Sequence, residues 1–148
     1  MKKSISILLF MLTYSIHGQS PDWSVNAGSY KYTMSITAFL NVDGVVLTNT
    51  NDKVGAFVNG ESRGEANVVF NSQSNKHVVY LTVLSNTIGE TIQFKVYDSE
   101  NDKIVTISKT QIFEINKNLG GLFQSYSIAQ PALRSNVNID SFTFQGVS

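Results

Sequence analysis

The stretch YKYTMSITAFLNVDG, residues 30–44, decides the fold class. Its even positions are Tyr30, Tyr32, Met34, Ile36, Ala38, Leu40 and Val42, and its odd positions are Lys31, Thr33, Ser35, Thr37, Phe39 and Asn41. Side chains of an extended chain point alternately to opposite faces. The pattern therefore predicts one long strand with a buried side and a mostly wet side. Asp43-Gly44 tolerates the positive φ values of a tight hairpin turn, and Val45-Val46-Leu47 begins the return.

The same reading extends along the chain. TNTNDK (48–53) is a loop of residues that bond their own backbone in turns. Residues 53–58 read as a strand, Asn59-Gly60 as a second hairpin turn and 61–70 as the partner strand. NSQSNK (71–76) is another loop, and HVVYLTVLS (77–85) is apolar on both faces, as expected of a central strand covered on both sides. ETIQFKVYD (90–98) alternates with Ile92, Phe94 and Val96 inward; SEND (99–102) turns the chain and KIVTIS (103–108) pairs back. Weaker segments lie at 112–115 and 123–129. No 3.6-residue periodicity follows residue 18. The expected fold is all-β: an antiparallel β-sandwich of about eight or nine strands, immunoglobulin-like or jelly-roll-like, with a closed barrel as the alternative.

The first residues, MKKSISILLFMLTYSIHGQS, give the address. Two lysines, a short apolar run and a polar tail with small residues are the layout of a secretory signal peptide over 1–18, cut after Gly18. The run is shorter than the roughly 20 residues that span a bilayer, and no second run is long enough for a membrane helix. The sandwich is then assigned to 19–130. Residues 131–148, with an alternating run at 139–144, are an edge strand, a linker or a truncated end. With no cysteine in the chain, disulfides, thiolate metal sites and cysteine nucleophiles are excluded, and a bacterial exported protein is favoured: secreted, at the cell surface or periplasmic. Loss of Lys2 and Lys3 leaves nine basic residues against eleven acidic ones, a net charge of −2, which argues against a nucleic-acid partner.

Candidate site residues centre on KVGAFVNGESRGEA (53–66). A two-residue Asn59-Gly60 turn sets Val58 opposite Glu61, Phe57 opposite Ser62 and Ala56 opposite Arg63. On that register Arg63 lies between Glu61 and Glu65, and Gly55 faces Gly64. Two readings follow: a structural hairpin of Asn59, Gly60, Glu61, Arg63 and Gly64 knitted by charge, or Arg63 gripping a carboxylate or sugar hydroxyls. The structural reading is preferred, because charge pairs on strands are common. Trp23, Tyr30 and Tyr97, with Tyr32, Tyr80 and Tyr126, are the aromatic candidates for stacking on a sugar; Trp23 also suits a staple for the N-terminal segment. Asp98, Glu100 and Asp102 offer oxygens for calcium, as do Asn49, Asn51 and Asp52, although both loops also have the composition of plain turns. After signal removal His77 is the remaining histidine, and it reads as a wet strand end rather than a catalytic base. No catalytic residue is assigned.

Three ordered motifs carry a resemblance. DWSVNAGSYKYTMSITAFLNVDG (22–44), NDKVGAFVNGESRGEA (51–66) and YLTVLSN with GETIQFKVYD (80–98) are similar to a β-sandwich module of secreted and surface proteins of flavobacteria and their relatives. The matching residues are Trp23, Val25, Asn26, Tyr30, Tyr32 and Met34; then Asn51, Asp52, Gly55, Phe57, Gly60, Glu61, Arg63 and Gly64; then Gly89, Glu90, Phe94, Tyr97 and Asp98. The resemblance spans roughly residues 22–128. It implies an exported module with no known catalytic residue, often joined to larger proteins that leave by a type IX route. Residues 131–148 depart from that pattern, since they carry no recognisable sorting domain.

The expectation is a non-catalytic module for adhesion or binding, whose partner is a polysaccharide or a surface protein. A carbohydrate-binding module is the narrower alternative, and a small carboxylate-dependent hydrolase the one from another class. Calcium is the only cofactor the residues suggest.

Overall fold

The alternation of residues 30–44 becomes β1 (Tyr32–Val42), in which Met34, Ile36, Ala38, Leu40 and Val42 are buried. The computed structural model describes residues 19–130, so the expectations for 1–18 and 131–148 lie outside the described residues. β1 pairs antiparallel with β6 (Lys76–Ser85), from Tyr32↔Ser85 to Ala38↔Val79. Beyond that point its partner changes, and Asn41 and Val42 pair with β2 (Val45–Val46) across the Asp43-Gly44 turn. Both turn residues have the positive φ the sequence predicts, 52° and 86°. On its other edge β1 carries β9 (Asn118–Leu119) and β10 (Tyr126–Gln130), both parallel to it. β5 (Val69–Asn71) completes this sheet along β6, giving the order β10-β1-β6-β5.

The second sheet has the order β4-β3-β7-β8, from β3 (Lys53–Val58), β4 (Glu61–Asn67), β7 (Thr91–Asp98) and β8 (Lys103–Ile112). All its pairings are antiparallel. Val54, Ala56 and Val58 of β3 and Ile92, Phe94 and Val96 of β7 meet the apolar face of β1 and β6 in one core. The protein is an all-β sandwich. Strands β1, β3, β4, β5, β6, β7 and β8 follow the order B, C, C′, D, E, F, G of an immunoglobulin-type sandwich. The place of strand A, beside B, is taken by β10 from the far end of the domain, running parallel to β1.

Several sequence expectations change, among them the weak segment at 112–115, which forms no strand of its own because β8 runs on to Ile112 and ends there. The strand expected over 61–70 serves both sheets: β4 pairs with β3, the chain bends at buried Val68, and β5 pairs with β6. The Val68 N–H donates to the Asp52 carbonyl at 2.9 Å, which takes that residue out of both ladders. Corners of this kind, where one extended segment changes sheet, are how packed sheets close at an edge. β6 is covered on both faces only towards its ends, where Val78 and Leu84 are buried; Tyr80 and Thr82 between them are exposed on the outer face. Finally, the two-residue strands β2 and β9 bring the number to ten among the described residues.

Gly64 brings the two sheets together along one side. Its φ is +152°, and a Cβ there would lie 2.1 Å from the carbonyl oxygen of Thr82 on β6. Only glycine permits that approach. Along the opposite side Lys109 of β8 donates to the Ser127 carbonyl of β10 at 3.2 Å and stacks over the Tyr126 ring, 3.7 Å from its centroid.

Candidate functional site

The Asn59-Gly60 turn forms as expected, with φ of 51° and 84°, and sets Val58↔Glu61 and Phe57↔Ser62. The register then shifts, so that Ala56 faces Gly64 and Gly55 faces Glu65. Arg63 is the extra residue of a β-bulge, a device that re-aims a side chain. The expected opposition of Gly55 to Gly64 and of Ala56 to Arg63 is therefore corrected. Past the bulge Glu65 points to the outer face of the sheet, where it accepts from Lys53 Nζ at 3.1 Å.

Freed from the ladder, Arg63 turns into the end of the sandwich, where it is only 8% exposed. Its two Nη atoms face the two carboxylate oxygens of Glu90 at 3.3 and 3.4 Å, and Nη2 lies 3.4 Å from Glu61. The Tyr30 ring covers the guanidinium at 5.0 Å, and its hydroxyl donates to Glu61 at 2.9 Å. Ser85, the last residue of β6, donates to Glu90. The cluster thus ties β4 to the end of β6, the start of β7 and the N-terminal segment. Arg63 Nε is buried without a partner, the one such side-chain atom among the described residues. The fork geometry aims both Nη groups at Glu90 and leaves Nε facing protein. Burial, then the bond to Glu61, raises the Tyr30 pKa above its ordinary value.

Trp23 is 9% exposed and packs edge-on to Phe57, ring centroids 5.5 Å apart, in a small cluster with Tyr97 outside the second sheet. Gly55 makes room for it, since a Cβ there would lie 2.6 Å from the indole. The segment before β1 is strapped down by Lys53 Nζ to the Pro21 carbonyl (3.1 Å) and by the Ser62 hydroxyl to the Trp23 carbonyl (2.5 Å). Tyr97 donates its hydroxyl to Asp102 at 2.9 Å, and that bond raises its pKa. Of the four aromatic and basic candidates, Tyr30 and Arg63 meet at one end, while Trp23 and Tyr97 meet on the outer face.

The acidic loops are tied to each other. Asp52, 1% exposed, accepts from Ser99 N–H and Oγ at 2.8 and 2.6 Å with one oxygen and from Asn49 N–H at 3.1 Å with the other. Asp98 accepts from the N–H groups of Glu100 and Asn101 and from the Asn101 side chain. Asp102 is held by Tyr97, and Glu100 is exposed. Among the described residues no three acidic or histidine side chains gather as a metal site would require.

A recess with no counterpart among the sequence-predicted sites lies on the outer face of the first sheet. β6 pairs with β1 only as far as Ala38↔Val79, and β1 then pairs with β2, so the sheet forks. Residues 120–125, between β9 and β10, fold beside the fork, closed by Gly121 N–H to the Gln124 carbonyl (3.1 Å) and Ser125 Oγ to the Gly121 carbonyl (3.0 Å). Lys76 Nζ donates to the Phe123 carbonyl at 3.2 Å. The result is a cavity of about 500 Å³ with Phe39, Val46 and Phe123 as apolar walls and Asn75, Lys76, His77, Gln124 and Ser125 as its polar lining. Phe123 is 76% exposed. The weak segment expected over 123–129 begins only at Tyr126, which leaves Phe123 in the loop; the available signal was Gly120-Gly121 just ahead of Leu122-Phe123, which opens a loop that displays apolar residues.

Compared with protein-family models, with curated proteins and with solved structures, the chain matches none.

Proposed function

We propose that this chain is a non-catalytic exported binding module, acting at or near the cell surface, and that its ligand is held in the recess beside Phe123. The observation that carries the reading is the exposed phenylalanine on a hydrogen-bonded loop above an apolar-walled cavity. Concave sites with apolar walls and a few polar groups are the usual form of ligand pockets. A large apolar ring left in water costs free energy that contact with a ligand recovers.

Trp23, Arg63, Asp52 and Asp98 support the reading by being occupied within the fold. Trp23 is a staple, Arg63 is committed to Glu90 and Glu61, and Asp52 and Asp98 accept from backbone N–H groups. The signal-like N-terminus and the resemblance to exported β-sandwich modules support the address. The test is a thermal melt of residues 19–148 against a panel of polysaccharides, in the wild type and in Phe123→Ala. A ligand specific for the folded state raises the melting point. The reading expects a rise with one ligand class that Phe123→Ala removes; a rise that survives the substitution would place the site elsewhere.

A further inference from the structure

Resting on the recess as the binding site, we infer that its ligand is an acidic sugar, a uronic acid residue of a polysaccharide. The lining decides the class. Phe39, Val46 and Phe123 provide apolar contact, and the Phe123 ring stands open enough to take the C–H face of a pyranose. Asn75, Gln124 and Ser125 supply amide and hydroxyl groups that both donate and accept, as ring hydroxyls require. The charged or basic groups of the lining are Lys76 and His77, and no Asp or Glu is among them.

Lys76 spends one proton on the Phe123 carbonyl, and an ammonium has three, so two remain for a ligand carboxylate while the loop stays held. His77 adds a ring nitrogen beside it, half-buried against Phe70 at 5.2 Å between centroids. A neutral sugar would leave the Lys76 ammonium without an anion. An extended peptide would need the length of an open groove, whereas the recess is bounded by β2 on one side and the loop on the other.

The experiment is isothermal calorimetry of the mature chain with short oligomers of galacturonic, glucuronic and mannuronic acid, each beside its methyl ester. Esterification keeps the rings and removes the charge. At least one acid should bind about fivefold or more tighter than its ester at low salt, the scale of exposed charge contacts, with the gap shrinking as salt is added. Lys76→Gln should erase the gap while leaving the melting point near wild type, and Phe123→Ala should weaken acid and ester alike. Equal binding of acids and esters, or binding of a neutral glycan or a peptide in place of the acids, overturns the acidic-sugar inference. If Phe123→Ala abolishes that other binding, the recess remains the site. No binding by any acid overturns the inference as well, and binding that ignores Phe123 overturns the recess too.

Discussion

Replacing Arg63 by alanine tests whether the bulge and its ion cluster hold the sandwich together. The guanidinium is 8% exposed, and its fork partner Glu90 has a side chain 20% exposed, whereas Glu61 is 66% exposed. Breaking a fully buried ion pair costs about 3–5 kcal/mol. Water already reaches Glu61 and part of Glu90, so roughly 2 kcal/mol is the appropriate share here. Loss of the Tyr30 stacking adds about 0.5–1 kcal/mol. For a domain of this size each kcal/mol moves the melting point by roughly 3–6 °C, so Arg63→Ala should melt about 10 °C below wild type. Glu61→Gln, at the wet end of the same cluster, should cost under about 0.5 kcal/mol. Differential scanning calorimetry on residues 19–148 reads all three proteins. A melting point within about 2 °C of wild type for Arg63→Ala, or an equal loss for Glu61→Gln, would refute the account.

Four further outcomes follow from the same geometry. Trp23→Ala should cost about 2–4 kcal/mol by uncovering Phe57 and Tyr97, and in the wild type the single tryptophan should emit as a buried indole until the cooperative melt. Gly64→Ala should be among the most damaging single changes, at least about 3 kcal/mol, because its methyl meets the Thr82 carbonyl; a stable, wild-type-like melt would contradict the close approach of β4 and β6. Tyr30 and Tyr97 both have raised pKa values when folded, so they favour the fold below the ordinary tyrosine value and that contribution is lost as pH rises through the folded ones. The melting point should therefore fall above about pH 10, and less steeply in the Tyr30→Phe, Tyr97→Phe double variant. Chelator should leave the melting point unchanged, since Asp52, Asp98 and Asp102 already accept from protein donors while Glu100 is exposed; a fall reversed by calcium would reinstate the ion.

What the sequence determined by itself was local. Period-two alternation assigned the buried faces of β1 and β7, because a strand's side-chain direction follows from its backbone alone. Asp43-Gly44 and Asn59-Gly60 announced their turns, because positive φ is a property of the residues themselves. Everything that depended on a distant neighbour needed the tertiary structure. The bulge at Arg63 arises where β4 passes the Thr82 carbonyl on β6 at Gly64, and the shift sends Arg63 to Glu90, 27 residues away, instead of to Glu65. The bend at Val68 divides one apparent strand between two sheets, which alternation does not register, since the chain stays extended on both sides of it. The recess draws on Phe39, Val46, residues 75–77 and the Phe123 loop, four separate pieces of chain. Those pieces carry no common local signal, because only the forking of the sheet brings them together.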